Sequence, residues 1–515
     1  MRGLRLRAAA GLLATFTLIS GCSSGTADGS SSEPSVADGG TITYGVAGGG
    51  LTQLDPNKVA SAALLPLTTL LYNGLTKFGP DMSIQPDLAE SWSASADQKT
   101  WTFKLRSDVK FHDGRDFTAT DAVQNIERVL DPATASQSRV RLSMIESVRA
   151  VDPTTLEVKL TEANALLPTA LVSVKMSDVG GIATVNETGN GTGPFKLEEF
   201  VPDDHVTLVR NDSYWGTSAK LDEIRIVTAA DTTSAVTSLR NKELDVVWNV
   251  PPLDVATLTD DPDLSVHQAK MPSGTVIWEV DTTSPPFDDP RARQALAYTL
   301  NRSQLLTVGY DGMGVAAAEN VALNPEQPAY AEDLVTYDQD LDKAKALFDE
   351  AGVAEGTTLT FWTTAGRNPQ WVTMAEVLQQ DLKKIGINLE IKKNESSTWL
   401  EKFFPAGKKF PGVIVANFLS TPLEPSLQLN FFRTGICECN WSNQEYDQLH
   451  AKAVATADEE ARNQIYGQMQ AILNEEAPVI IPLITSQLTV AQNRVVGAWV
   501  QSDGAVRLEE AGVTQ

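Results

Sequence analysis

The sequence predicts an α/β protein of two or three domains, and three observations carry that prediction. At 515 residues, 42% hydrophobic, the chain is long enough for more than one core. Its first half is rich in strand-like segments separated by Asp-Pro or Gly-rich punctuation. From about residue 285, helices alternate with strands in a pattern that includes a βαβ unit and hence a parallel pair.

The strand signals come in order. Thr41 to Val46, Trp101 to Leu105, Thr155 to Leu160, Phe195 to Phe200, His205 to Arg210 and Leu221 to Val227 are β-rich or alternate apolar with polar residues. Trp101, Phe103 and Leu105 form the apolar face of the second of these. His112-Asp113-Gly114-Arg115 supplies a turn. Thr118 and Asp121 form a capping box that opens a helix with Val123, Ile126, Val129 and Leu130 inward. In the second half, Asp289-Pro290 is an N-cap with Pro at N1, and the helix over Leu341 to Ala351 stops at Gly352. Thr358 to Thr363, Trp371 to Ile385 and Ile387 to Lys392 make the βαβ unit. A long helix from about Ala457 to Glu475 precedes Pro478-Val-Ile-Ile-Pro-Leu-Ile, read as a buried strand leading back to the first domain.

The N-terminus predicts export. Arg2, Arg5 and Arg7 precede an apolar run from Ala8 to Ile19, too short to span a hydrocarbon core of roughly 30 Å. Ile19-Ser20-Gly21-Cys22 resembles the lipobox of bacterial lipoproteins, with Ile19 where Leu is commoner. The resemblance implies a signal peptide over residues 1–21 and a lipid anchor on Cys22, and two or more acyl chains make such an anchor stable. Residues 22–39 then read as the lipidated Cys and a flexible tether. No other apolar segment approaches membrane-spanning length. A formal net charge of −25 makes nucleic acid and anionic lipid poor partners. Apart from Cys22, the cysteines are Cys437 and Cys439. Export favours a disulfide between them, although one intervening residue puts the geometry near its limits. A zinc site using His450 is the weaker alternative, because His112, His205 and His267 lie far apart in sequence.

Catalytic signatures are missing. No Gly-x-Ser-x-Gly, His-Glu-x-x-His, Walker loop or dinucleotide-binding glycine motif occurs in the right setting. Acidic pairs such as Asp203-Asp204 and Asp288-Asp289 are expected by chance among 66 carboxylates. A lipoprotein hydrolase with two facing carboxylates remains the rival class.

Five blocks then resemble, in order, the large family 5 (peptide/nickel-binding) solute-binding proteins of ABC importers. They are Gly45 to Asn57, Pro86 to Asp121, Gly191 to Trp215, Trp278 to Leu300 and Asn440 to Asp447. The resemblance implies a two-lobed periplasmic-binding-protein-like fold (type II, large cluster C), with an extra β-rich subdomain in the first lobe at about 84–200. Lobe I would comprise 40–283 and 485–515, and lobe II 284–484. It also implies a non-enzymatic, monomeric receptor on the extracytoplasmic face that closes over a solute and delivers it to a membrane permease. No cofactor or resident metal is implied.

Peptides are the expected ligands, with nickel chelates or another small solute as the alternative. Arg367 falls where some dipeptide binders hold the peptide carboxylate, and a guanidinium suits that role through two parallel hydrogen bonds. The aspartate that grips a peptide's α-amino group is replaced by Thr421, with Glu424 as a substitute. Trp248, Trp278, Trp362 and Trp399 could serve as apolar cleft walls or as core; Trp248 and Trp362 are the better cleft candidates. Leu51, Thr52, Asn249, Asn417 and Leu419 complete the expected ligand-binding set.

Overall fold

The computed structural model describes residues 36–47, 50–58, 62–255, 257–364, 368–394, 409–419, 424–485, 487–502 and 504–514. Among them, three sheets of seven, six and four strands organise the chain.

The seven-stranded sheet forms the first lobe. Its order is Leu264–His267, Thr489–Gln492, Val246–Trp248, Thr41–Ala47, Glu223–Ala229, His205–Arg210 and Phe195–Val201. Thr41–Ala47 is flanked in parallel by Glu223–Ala229 and Val246–Trp248. The helix Thr232–Arg240, opened by an Asp231/Ser234 capping box, carries the chain between those two neighbours. The six-stranded sheet of the second lobe runs Val315–Ala316, Val479–Thr485, Gly274–Val280, Val413–Leu419, Thr358–Thr363 and Asn388–Lys393. The expected βαβ unit is present: Thr358–Thr363 pairs in parallel with Asn388–Lys393, joined by the helix Gln370–Lys384. Gly274–Val280 and Val479–Thr485 are buried at every position, as sheet interiors covered on both faces require. One face packs Trp278 and Phe361 under the helices Pro290–Thr299, Leu341–Glu350 and Gln370–Lys384. Burying each such aromatic is worth roughly 1.5–3 kcal/mol.

Two expected boundaries move. The chain passes from the first sheet to the second between His267 and Gly274, not at 283/284, because Gly274–Val280 hydrogen-bonds within the second sheet. It returns between Thr485 and Thr489. The β-rich subdomain is the four-stranded sheet Ala89–Ala94, Thr100–Leu105, Thr155–Leu160, Ile145–Asp152 with the helix Ala119–Leu130 on it. It ends before Phe195–Val201, which is an edge strand of the first lobe.

The turn at His112 explains how the subdomain is fastened. The backbone N–H of His112 donates to Gly191 O at 2.8 Å, and Gly191 N–H donates to His112 Nδ1 at 3.3 Å. That leaves Nε2–H to donate to Gly193 O at 3.2 Å. Gly191 and Gly193 are needed because a Cβ at either would lie 2.1 or 2.3 Å from the carbonyl oxygen of Leu71 or Leu70. Burial, the largest influence, pushes the imidazole down to about 4. The folded state therefore resists a proton that the unfolded chain accepts near 6.5. The resulting stability is complete above pH 6.5 and is lost as pH falls toward 4. His450, also buried and pushed to about 4, contributes with the same sign. In urea titrations between pH 6.5 and 4, His112→Gln should give a stability slope flatter than wild type by about 1.4 kcal/mol per pH unit. Superimposable slopes would show that His112 protonates freely in the fold.

Candidate functional site

Open α/β sheets bind ligands beyond the carboxyl ends of their parallel strands, where the strand order changes direction. Each lobe has such a place. In the first lobe it lies after Thr41–Ala47 and Val246–Trp248; in the second it lies after Thr358–Thr363 and Val413–Leu419. The crossing strands meet the second sheet at the same end, since Thr275 pairs with Leu419 and Gly274 with Thr485.

The first-lobe side places several expected residues. Trp248 pairs with Thr489, is half-buried, and donates its indole N–H to Gly504 O at 2.9 Å. Asn249 is exposed with φ 57°, a left-handed turn that Asn tolerates. Thr52 is exposed, but Leu51 is buried in the first-lobe core and its carbonyl accepts from Asp203 N–H at 2.8 Å. The Leu51 side chain is part of that core.

The second-lobe side is more selective. Trp278 is fully buried, edge-on to Phe361 with ring centroids 5.1 Å apart. It is a core residue, because its position in the strand faces the helices rather than the opening. Trp362, one residue after Phe361, is half-buried on the other face against Phe410, Val413 and Val415. Asn417 and Leu419 are half-buried near the end of their strand, and Asn417 Nδ2 donates to Glu279 Oε1 at 2.8 Å. Glu424 is committed elsewhere: its carboxylate caps the helix Pro425–Asn430 by accepting from Ser426 N–H at 3.0 Å. Cys437 and Cys439 are joined in a disulfide within a buried apolar cluster. Cys22, Arg367, Trp399 and Thr421 lie outside the described residues.

Sequence reasoning missed a set of hydroxyls. Thr363 and Thr364, ending one parallel strand, and Thr489, beside Trp248, are buried, and their Oγ1 atoms have no hydrogen-bond partner among the described residues. Such atoms are costly unless something completes them, by about 1–3 kcal/mol each. Their signal was faint, because Thr is common in strands. A separate concavity of about 580 Å³, lined by Tyr298, Asp338, Asp340 and Lys343 among others, lies at the start of the helix Leu341–Glu350. Asp340 is already used there as the helix cap. No group of three His, Cys, Asp or Glu side chains among the described residues could hold a metal ion.

The sequence profile of the bacterial extracellular solute-binding proteins, family 5 (middle region), matches residues 83–435. The chain belongs to this family. This family 5 protein is 27% identical over 484 residues to the glutathione-binding protein GsiB of Shigella boydii serotype 4 (strain Sb227), covering 90% of this chain and 93% of that one. It is 27% identical over 485 residues to the dipeptide-binding protein of Escherichia coli (strain K12), covering 86% and 89%. The crystal structure of the ABC transporter substrate binding protein CtaP from Listeria monocytogenes superposes with a TM-score of 0.83 at 23% identity, covering 93% of this chain and all of that one. That likeness establishes the two-lobed fold, and no helix among the described residues is long and apolar enough to cross a membrane.

A hydroxyl without a partner stabilises nothing, so replacing it with a methyl of the same shape is close to neutral for folding. Thr363→Val and Thr489→Val should leave the melting temperature, measured by calorimetry, unchanged or slightly raised. A loss of about 2 kcal/mol or more would mean that these hydroxyls are satisfied within the protein.

Proposed function

We propose that this chain is the solute receptor of an ABC importer, anchored by lipid at Cys22, non-enzymatic and monomeric, and that its ligands are short peptides. The observation carrying the reading is the set of unpartnered hydroxyls at the strand ends of both lobes. Buried polar groups with no partner among the described residues suit a solute that brings its own donors and acceptors, as a peptide main chain does. Family membership supports a binding role, and the two relatives are named for glutathione and dipeptide binding. Closure of the lobes over the ligand would proceed as far as its contacts favour the closed state.

Purified protein incubated with a mixture of di- to pentapeptides and inspected by native mass spectrometry should carry intact peptide. Trimmed products would instead mark a hydrolase, and binding of nickel–histidine with no peptide adduct would move the ligand class to chelates. Arg367→Ala should weaken a peptide with a free carboxylate by about tenfold or more, as expected for a lost charge-assisted pair, while its C-terminal amide is affected little. Equal affinity of variant and wild type for the free acid would remove Arg367 from the site.

For the anchor, Cys22→Ala expressed in a bacterial host should abolish labelling by radioactive palmitate and release the protein from the membrane fraction. Retention of label would place the lipid elsewhere.

A further inference from the structure

A lone acid interrupts the apolar crossing strand, and its surroundings are unusual. Glu279 is 3% exposed in Gly274–Val280, on the face opposite Trp278. Its Oε1 accepts from Asn417 Nδ2 at 2.8 Å, whereas Oε2 is buried with no partner among the described residues. The second carboxyl nearby is Glu438. Its two chain neighbours, Cys437 and Cys439, are bonded to each other and sunk in the apolar cluster. Cys439 O also accepts from Thr282 N–H at 2.9 Å, which ties that loop to the segment after the crossing strand.

Burial first, and then Glu438, pushes Glu279 up to about 8, and burial also raises Glu438. No cationic side chain among the described residues offsets either group. Two carboxyls cannot both be ionised and desolvated at close range without a counter-charge. Without a counter-charge, a proton meets that requirement. A cation brought by the solute would meet it better, because Asn417 and Glu438 are half-buried whereas Glu279 is buried.

We propose that Glu279 and Glu438, with Asn417, form a subsite that selects a cationic nitrogen of the bound solute, an ammonium or guanidinium. The position fits, since Asn417 lies two residues before the end of the strand that closes on the cleft. The chemistry fits too. A primary ammonium has three donors to distribute over carboxylate oxygens, whereas calcium or zinc asks for more protein ligands than two carboxyls and an amide supply.

This inference rests on the receptor reading, and the experiment separates the two. Tripeptides that differ only in carrying lysine or its neutral isostere norleucine are titrated calorimetrically into wild type, Glu279→Gln and Glu438→Gln. Wild type should prefer the lysine peptide by about tenfold or more. Glu279→Gln should erase that preference while leaving the norleucine peptide's affinity within about twofold of wild type. Equal affinity of wild type for both peptides, or an undiminished preference in both variants, overturns the subsite. If neither peptide binds wild type, the peptide reading fails, and n-butylammonium chloride decides the subsite separately. A thermal stabilisation beyond that from sodium chloride, lost in Glu279→Gln, supports it; no such difference overturns it.

Discussion

Gly274–Val280 and Val479–Thr485 lie side by side, antiparallel, inside the second-lobe sheet, and they carry the chain in both directions between the lobes. The other features of the cleft depend on that pairing. Gly274 is required at its start, because a Cβ there would stand 2.7 Å from Thr485 O and 2.4 Å from the Phe418 ring. Every residue of both strands is buried, and the chain changes lobe in the short segments beyond their ends. Val250 N–H to Leu488 O and Ser273 N–H to Ser502 O tie those segments back to the first lobe.

The subdomain is attached by polar groups where the lobes are joined by strands. His112 bridges to the Gly189–Gly193 loop. Beneath it, Asp87 accepts from Gly74 N–H at 2.9 Å and Asn73 Nδ2 at 3.1 Å. Lys175, buried close by, is pushed down to about 8 by desolvation against the pull of Asp87. Groups this buried are stable only as a satisfied set, which makes the junction specific rather than adhesive.

Much of the fold was legible from period and punctuation. The βαβ unit, the Thr118/Asp121 capping box and the strands at Thr155 and His205 all sit where alternation and capping residues placed them. The lobe boundary was not legible. The crossing strand is apolar throughout, and a continuous run does not say which of two sheets it joins. The site was legible only in part. Trp248 and Trp362 are half-buried at or near strand ends, but Trp278 turned inward, because one residue's shift along a strand reverses the face, and Leu51 is buried in the first-lobe core. Glu279 was visible as a solitary acid in Thr-Val-Ile-Trp-Glu-Val; its oxygen without a partner was not.

By itself, the sequence determined the α/β class, the strand and helix positions and, through the order of five motif blocks, the family. Those depend on local periodicity, capping and turn chemistry, which act over a few residues. Tertiary structure alone decided where the chain changes lobe, which aromatic rings are core, and that Asn417 bonds to Glu279. These residues are brought together by sheet pairing across long stretches of chain, a relation that no local pattern encodes.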